Sequence, residues 1–458
     1  MVLDLIIVGA GPAGVSAAIE ARAQGLSVLV LDENPAPGGR IWQALDTRGA
    51  QERDDTDAEA LQILQAFLNC GASSHWRATV WAIESDGSVF WSTDRAAGSA
   101  RARRILLATG TTERPMPMPG WTLPGVMTVG GAQIALKTAG LLPGGITWIA
   151  GQGPLLLLYI VQALRAGGRI AGVLDLSDGT APLSALRYLP PALGAAGDLR
   201  RGLAWRREIA RAGVRWISAT DVHAIGKDRL AHIEFRAGGR RHREAADLLL
   251  LHDGVIPSVQ LTRALGCAHI WDAAQRCWKP VVDAWGTTSV PHILVSGDGA
   301  GVSGAAAAAV SGRIAAIGVV HSLGRIDAAT RDTEAAPLRA LLARRRAARP
   351  FLDALYRPRP PQIDDTTIVC RCEEVTAGAI REAARLGCLG CNQLKAFTRC
   401  GMGPCQGRMC ATAVAEVLAA ARNVPVPEIE PYRTRFPTKP VTVGEVAEVL
   451  SPDAMART

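Results

Sequence analysis

Aromatic residues are scarce in this 458-residue chain: about 5% of positions, with only 6 Phe and 4 Tyr. A surface that stacks nucleic-acid bases interleaves aromatics with clustered basic side chains. The formal charge of +8 is instead spread as arginine, locally dense at Arg101–Arg104 and Arg344–Arg346, so it reads as solvated faces and partner contacts, and nucleic acid is excluded. The chain also lacks a long unbroken apolar run. Its most apolar stretch, Gly145 to Leu164, is interrupted by Gly151, Gln152, Gly153 and Pro154, which predicts strand, turn and helix rather than an integral membrane segment. No basic segment and cleavage site precede Val2–Val8, so the expected location is cytoplasmic, with peripheral contact to the inner membrane through an electron acceptor left open.

Two further scarcities bear on chemistry. Outside residues 370–410 the only cysteines are Cys70, Cys267 and Cys277, each isolated, so a redox-active disulfide pair is absent. The 8 histidines are dispersed, and no His, Lys or Arg constellation looks built to bind an amino-acid carboxylate and take a hydride; no catalytic residue is therefore assigned.

Glycine is plentiful, 48 residues, and gathers where apolar strand-like runs become Ala-rich helix-like runs, the pattern of an α/β protein. A strand from Asp4 to Val8 meets Gly9-Ala10-Gly11-Pro12-Ala13-Gly14, a helix follows to about Gln24, and a second strand ends at Asp32 with Glu33 beyond it. In such a turn the first glycine makes the bend, the second admits a pyrophosphate against backbone, and the third packs helix on strand. The acid about twenty positions on takes the ribose hydroxyls. A second unit of the same kind starts near Ile146, turns at Gly151-Gln152-Gly153-Pro154, and ends its second strand before Asp175. Here Leu156 stands where the third glycine belongs, which predicts a degenerate NAD(P)-like module. Its tenant stays open between a second nucleotide and an FMN at an interface with a partner.

Gly38-Gly39-Arg40, Ala108-Thr109-Gly110 and Ser296-Gly297-Asp298 then resemble, in order, the FAD-dependent pyridine-nucleotide-disulfide reductase superfamily over residues 2–320. That resemblance implies FAD held by Gly9, Gly11, Pro12, Ala13, Gly14, Asp32, Glu33, Gly39, Arg40, Val80, Ala108, Thr109, Gly110, Gly297 and Asp298, with Asp298 on the ribityl chain.

Seven of the 10 cysteines lie between Cys370 and Cys410, where soft thiolates at close spacing point to a metal. Cys370-Arg371-Cys372 is one pair; Cys400, Cys405 and Cys410 offer two overlapping choices for the other. The segment Cys370–Val417 resembles bacterioferritin-associated-ferredoxin-like [2Fe-2S] domains, which implies Cys370, Cys372, Cys405 and Cys410 as ligands, with Cys400 as the alternate. Cys388-Leu389-Gly390-Cys391 has zinc-like spacing, and a zinc site is the competing reading of the segment.

The fold expected is thus α/β. FAD-binding residues 1–120 and 251–330 enclose an inserted NAD(P)-like unit, 121–250. A helical linker (331–366), a small α-helical [2Fe-2S] domain (367–422) and a tail packed on the body or a partner (423–458) follow. The combination resembles the α subunits of opine oxidases, D-hydroxyproline dehydrogenase and hydrogen cyanide synthase. This implies an electron-transfer subunit whose substrate, a secondary amine or amino acid of the opine, hydroxyproline or proline class, reacts on a β subunit like FAD-dependent amino-acid oxidases. A small ferredoxin-like γ subunit is a further candidate partner. The alternatives are a stand-alone NAD(P)H-dependent reductase feeding a small carrier and a non-enzymatic redox sensor.

Overall fold

The computed structural model describes residues 2–45, 57–360 and 362–450; the last eight residues of the tail lie outside them. Leu5, Ile6 and Ile7 are fully buried, because Leu3–Val8 is a central parallel strand covered on both faces. It pairs with Val28–Asp32 on one side and Ala97–Leu107 on the other. Ser73–Trp76 extends the sheet beyond Val28–Asp32, and Ile293–Val295 adds in parallel to the second half of Ala97–Leu107. The first half of that long strand leaves the parallel sheet and pairs antiparallel with Ser88–Ser92, which pairs with Thr79–Ile83.

The helices Pro12–Ala23 and Ala305–Ser322 pack side by side. A Cβ on Gly312 would lie 2.1 Å from the Ala13 carbonyl oxygen, so only glycine permits this approach. Ala305–Ser322, with mean hydropathy 1.3, is the one helix among the described residues long and apolar enough to cross a membrane. Its burial against the first helix explains that composition: it is apolar all round because the core surrounds it.

The chain leaves this unit through Thr111–Glu113 and returns through Val255–Pro257, which pair antiparallel as a two-stranded connector. Between them lies a second parallel sheet in the order Arg215–Ser218, Gly172–Asp175, Thr147–Gln152, Leu248–Asp253, Val126–Thr128. A three-stranded antiparallel sheet, Thr220–Ala245, completes it.

The helices Ala328–Arg346 and Arg349–Leu355 lead to the cysteine-rich segment. There a short hairpin and the helices Ala377–Arg385, Cys391–Thr398 and Ala411–Arg422 enclose a separate core containing Ile380, Leu394, Val414 and Leu418. A unit of roughly sixty residues buries too little surface to be stable on its own without a staple such as a metal or a docking surface. Among its docking contacts, Arg276 Nη2 reaches Glu416 Oε1 at 2.7 Å, and Trp121 Nε1 donates to the Ile368 carbonyl at 2.6 Å. The tail returns to the first unit, where Thr438 N donates to the Trp81 carbonyl and the helix Val443–Leu450 places Val449 against Trp81 and Ala82.

Candidate functional site

A single cavity of about 910 Å³ runs between the first glycine turn, the second glycine turn and the cysteine-rich domain. Its wall includes every predicted FAD residue except Gly14. Gly14 acts from behind: a Cβ there would sit 1.8 Å from the Gly9 carbonyl oxygen, so the helix packs on the strand only because the side chain is missing. Gly9, at φ +104°, bends the chain away from Ala108, whose carbonyl oxygen would be 2.4 Å from any Cβ added there. The glycine pattern thus translates into backbone-on-backbone packing that leaves the N-terminus of Pro12–Ala23 facing the cavity.

Asp32 is buried and fixes the turn as well as facing the cavity: Ala10 N donates to its Oδ2 at 2.5 Å, and Asn34 N donates to its Oδ1 at 2.7 Å. At the far end, Asp298 Oδ1 accepts from Ser303 N at 2.8 Å and Gly304 N at 2.9 Å. Burial pushes the Asp298 carboxyl upward, against those two donors. The tail supplies Lys439, which pairs with Glu33 beside Asp32; no local pattern in the sequence could bring position 439 to position 33.

The cysteines divide into two groups. Cys370, Cys400 and Cys410 are buried, and their sulfurs all lie within 4.8 Å of one another. Cys372 is exposed and Cys405 half-buried; the two side chains hydrogen-bond to each other, and the Cys405 N–H points at the Cys372 sulfur. The four ligands inferred from sequence therefore do not form the tightest set, because Cys400 stands with Cys370 and Cys410. The reason is local: Arg399 takes the left-handed conformation, φ +62°, that ends the helix Cys391–Thr398 and turns Cys400 inward, while Cys410 caps the start of Ala411–Arg422.

Three sulfurs so close cannot all be anionic without a cation between them. Cys370 is the favoured thiolate, held well below the usual thiol range by the Cys400 and Cys410 thiols and by the N–H groups of Gly401 and Glu373. Cys400 is pushed up to about 12, and Cys410 is also raised. Tyr432 from the tail donates to Cys400 at 3.3 Å, and its ring lies where Cβ atoms on Gly401 and Gly407 would be, at 2.5 and 2.6 Å. Five thiols with N–H donors aimed at the sulfurs suit an electron-rich metal–sulfide group. Among the described residues, the zinc-like pair Cys388 and Cys391 joins no group of three ligands. Burial raises both thiols, Cys391 to about 12, and Cys388 donates to the Gly390 carbonyl, so these two are packing residues.

At the second turn, Leu156 is buried in the core beneath the helix Pro154–Arg165. Two polar pairs near it have no counterpart in the sequence reading. His252 Nδ1 lies 2.6 Å from Glu113 Oε1, both nearly buried, and Gln152 Nε2 donates to Asp253 Oδ1 at 2.9 Å. Each joins residues about a hundred or more positions apart. In sequence they carry no spacing signal.

Comparison with known proteins agrees with this geometry. Residues 3–140 match the pyridine nucleotide-disulphide oxidoreductase family, and residues 365–449 match the sarcosine oxidase A3 domain. The chain is 40% identical to an opine oxidase subunit of Rhizobium meliloti over 98% of its own length and 99% of that protein. It is 31% identical to a hydrogen cyanide synthase subunit of Pseudomonas aeruginosa, covering 96% of this chain and 97% of the other. L-Proline dehydrogenase from P. horikoshii has the same fold, with a TM-score of 0.70 at 19% identity over 98% of this chain and 80% of that one. The chain is an oxidoreductase subunit and belongs to the same family as these opine oxidase subunits.

Proposed function

We propose that this chain is the electron-relay subunit of a flavin-dependent amine or amino-acid dehydrogenase, carrying FAD at the first glycine turn and a [2Fe-2S] cluster at the cysteine cage. The observation that carries the reading is the shared cavity: Gly11 and Asp298 line it, and so do Cys405 and Arg408. FAD would be held by the N-terminus of Pro12–Ala23, by Asp32 and by Asp298. It supplies two-electron chemistry, and a [2Fe-2S] centre carries one electron at a time, so the two together convert one regime to the other. Cys370, Cys372 and Cys405 would hold the cluster with Cys410; Cys400, hydrogen-bonded by Tyr432, competes for the fourth place.

The substrate would be oxidised on a separate subunit resembling FAD-dependent amino-acid oxidases. The sequence supports that division, because no His, Lys or Arg constellation in it looks built to bind an amino-acid carboxylate and take a hydride. Anaerobically purified protein is expected to show flavin bands, broad cluster absorption and about two irons per chain. Cys372→Ser should lose iron and keep flavin, and zinc without sulfide would remove the cluster assignment. Co-purification with an oxidase-like partner, followed by an amine and opine screen with a dye acceptor, tests the relay. Full amine oxidation by this chain alone would refute it.

A further inference from the structure

The second glycine turn lies at the carboxyl ends of its parallel strands, in the crevice where a doubly wound sheet binds a nucleotide. A dinucleotide there would lay its pyrophosphate against Gly151–Pro154 and its adenosine ribose toward Asp175, across the ends of Thr147–Gln152 and Gly172–Asp175. That path is crossed by the chain's own linker. Gln152 Nε2, inside the turn, donates to the Arg357 carbonyl at 3.3 Å. Two residues on, Arg359 Nη2 donates to the Ser177 carbonyl at 2.9 Å and lies 3.7 Å from Asp178 Oδ1, just past Asp175.

Tyr356, directly before Arg357, is carried onto this stretch by the contact of Gln152 with the Arg357 carbonyl, and burial raises its phenol. Asp175 is itself engaged, accepting from Trp216 Nε1 at 2.8 Å and Ser177 N at 2.9 Å. The linker is anchored at its other end too: Arg357 Nη2 donates to the Ala273 carbonyl, and the preceding helix Arg349–Leu355 packs on Ala181–Ala185. Tyr356 and Pro358 also line the large cavity, so the linker forms its wall at this end.

We infer that the segment Tyr356–Arg359 is a specificity-determining plug: it occupies the adenosine half of the second nucleotide crevice and closes that crevice to NAD(P)H. The pyrophosphate turn remains on the cavity wall, but a dinucleotide cannot extend along it without displacing Tyr356 and breaking the Arg359 contacts. This goes beyond the relay reading and does not depend on it, because it concerns only which ligands the second crevice admits.

Binding of NADH and of ADP-ribose to the full-length protein, by calorimetry and by anaerobic flavin bleaching, is the test. Wild type should show no saturable binding of either into the millimolar range. Tyr356→Gly/Arg359→Ala, which removes the ring and the latch, should gain at least tenfold in ADP-ribose affinity, with unchanged circular dichroism and iron content showing that it folds. Micromolar binding by the wild type would overturn the inference, and so would a folded double variant that binds no better. The relay is read separately, from reduction through the partner subunit, so the two readings can fail independently.

Discussion

The two glycine turns begin alike and end differently. Each follows a buried parallel strand, each opens a twelve-residue helix with proline at its start, and each has an acid at the end of the next strand. In the first, Gly14 lets helix and strand meet backbone to backbone and leaves the turn open to a cavity of about 910 Å³. In the second, Leu156 fills that space with side chain, and the outer crevice is crossed by residues 356–359. The same module has become a platform: Trp121 and Arg371 of the cysteine-rich domain stack at 5.2 Å, and Trp121 also holds the Ile368 carbonyl. A nucleotide fold keeps its architecture after its crevice is closed because the sheet's stability comes from burial beneath the helices, and the ligand face contributes little to it.

The largest expected effect tests the first half of the comparison. Gly14→Val forces a side chain onto the Gly9 carbonyl, and the purified variant should contain no flavin by absorbance after denaturation. Retained flavin would mean that the glycine turn is not the binding element. Leu156→Ala addresses the second half. Removing a fully buried leucine should cost about 3 kcal/mol in denaturant unfolding while flavin content and the absence of NADH binding stay the same. If the shortened side chain instead restored dinucleotide affinity, Leu156 rather than the linker would be the block. Trp121→Phe is the smallest change. Loss of its 2.6 Å hydrogen bond should cost about 1 kcal/mol and loosen the cysteine-rich domain, read as faster hydrogen exchange in Ile368–Cys370. Unchanged exchange would show that this hydrogen bond does not hold the domain in place and that Arg276–Glu416 and the Arg371–Trp121 stack do.

Much of the first site was legible in sequence because its parts are contiguous. Strand, turn, helix and acid follow one another from Leu3 to Asp32, and their spacing reflects the geometry of one βαβ unit. The cysteine segment was legible as a place where thiols gather for the same reason, since they are dense along the chain. The arrangement of those thiols was not legible: two equal Cys-x4-Cys spacings look the same on paper. What drew Cys400 into the buried trio was a left-handed residue at Arg399 and a tyrosine 32 positions downstream. Likewise only packing shows that the apolar helix Ala305–Ser322 lies in the core against Pro12–Ala23.

By itself, then, the sequence determined the local machinery: two nucleotide-type units, the glycine and acid positions of the first, the flawed third glycine of the second and a thiol-rich C-terminal segment. These follow from short-range backbone sterics, which act between near neighbours in the chain. Only the tertiary structure decided that Gln152 meets Arg357, that Tyr432 covers Cys400, and that Gly11 and Cys405 share one cavity. Such contacts join residues with no fixed spacing, and they are set by which apolar faces must be buried against one another.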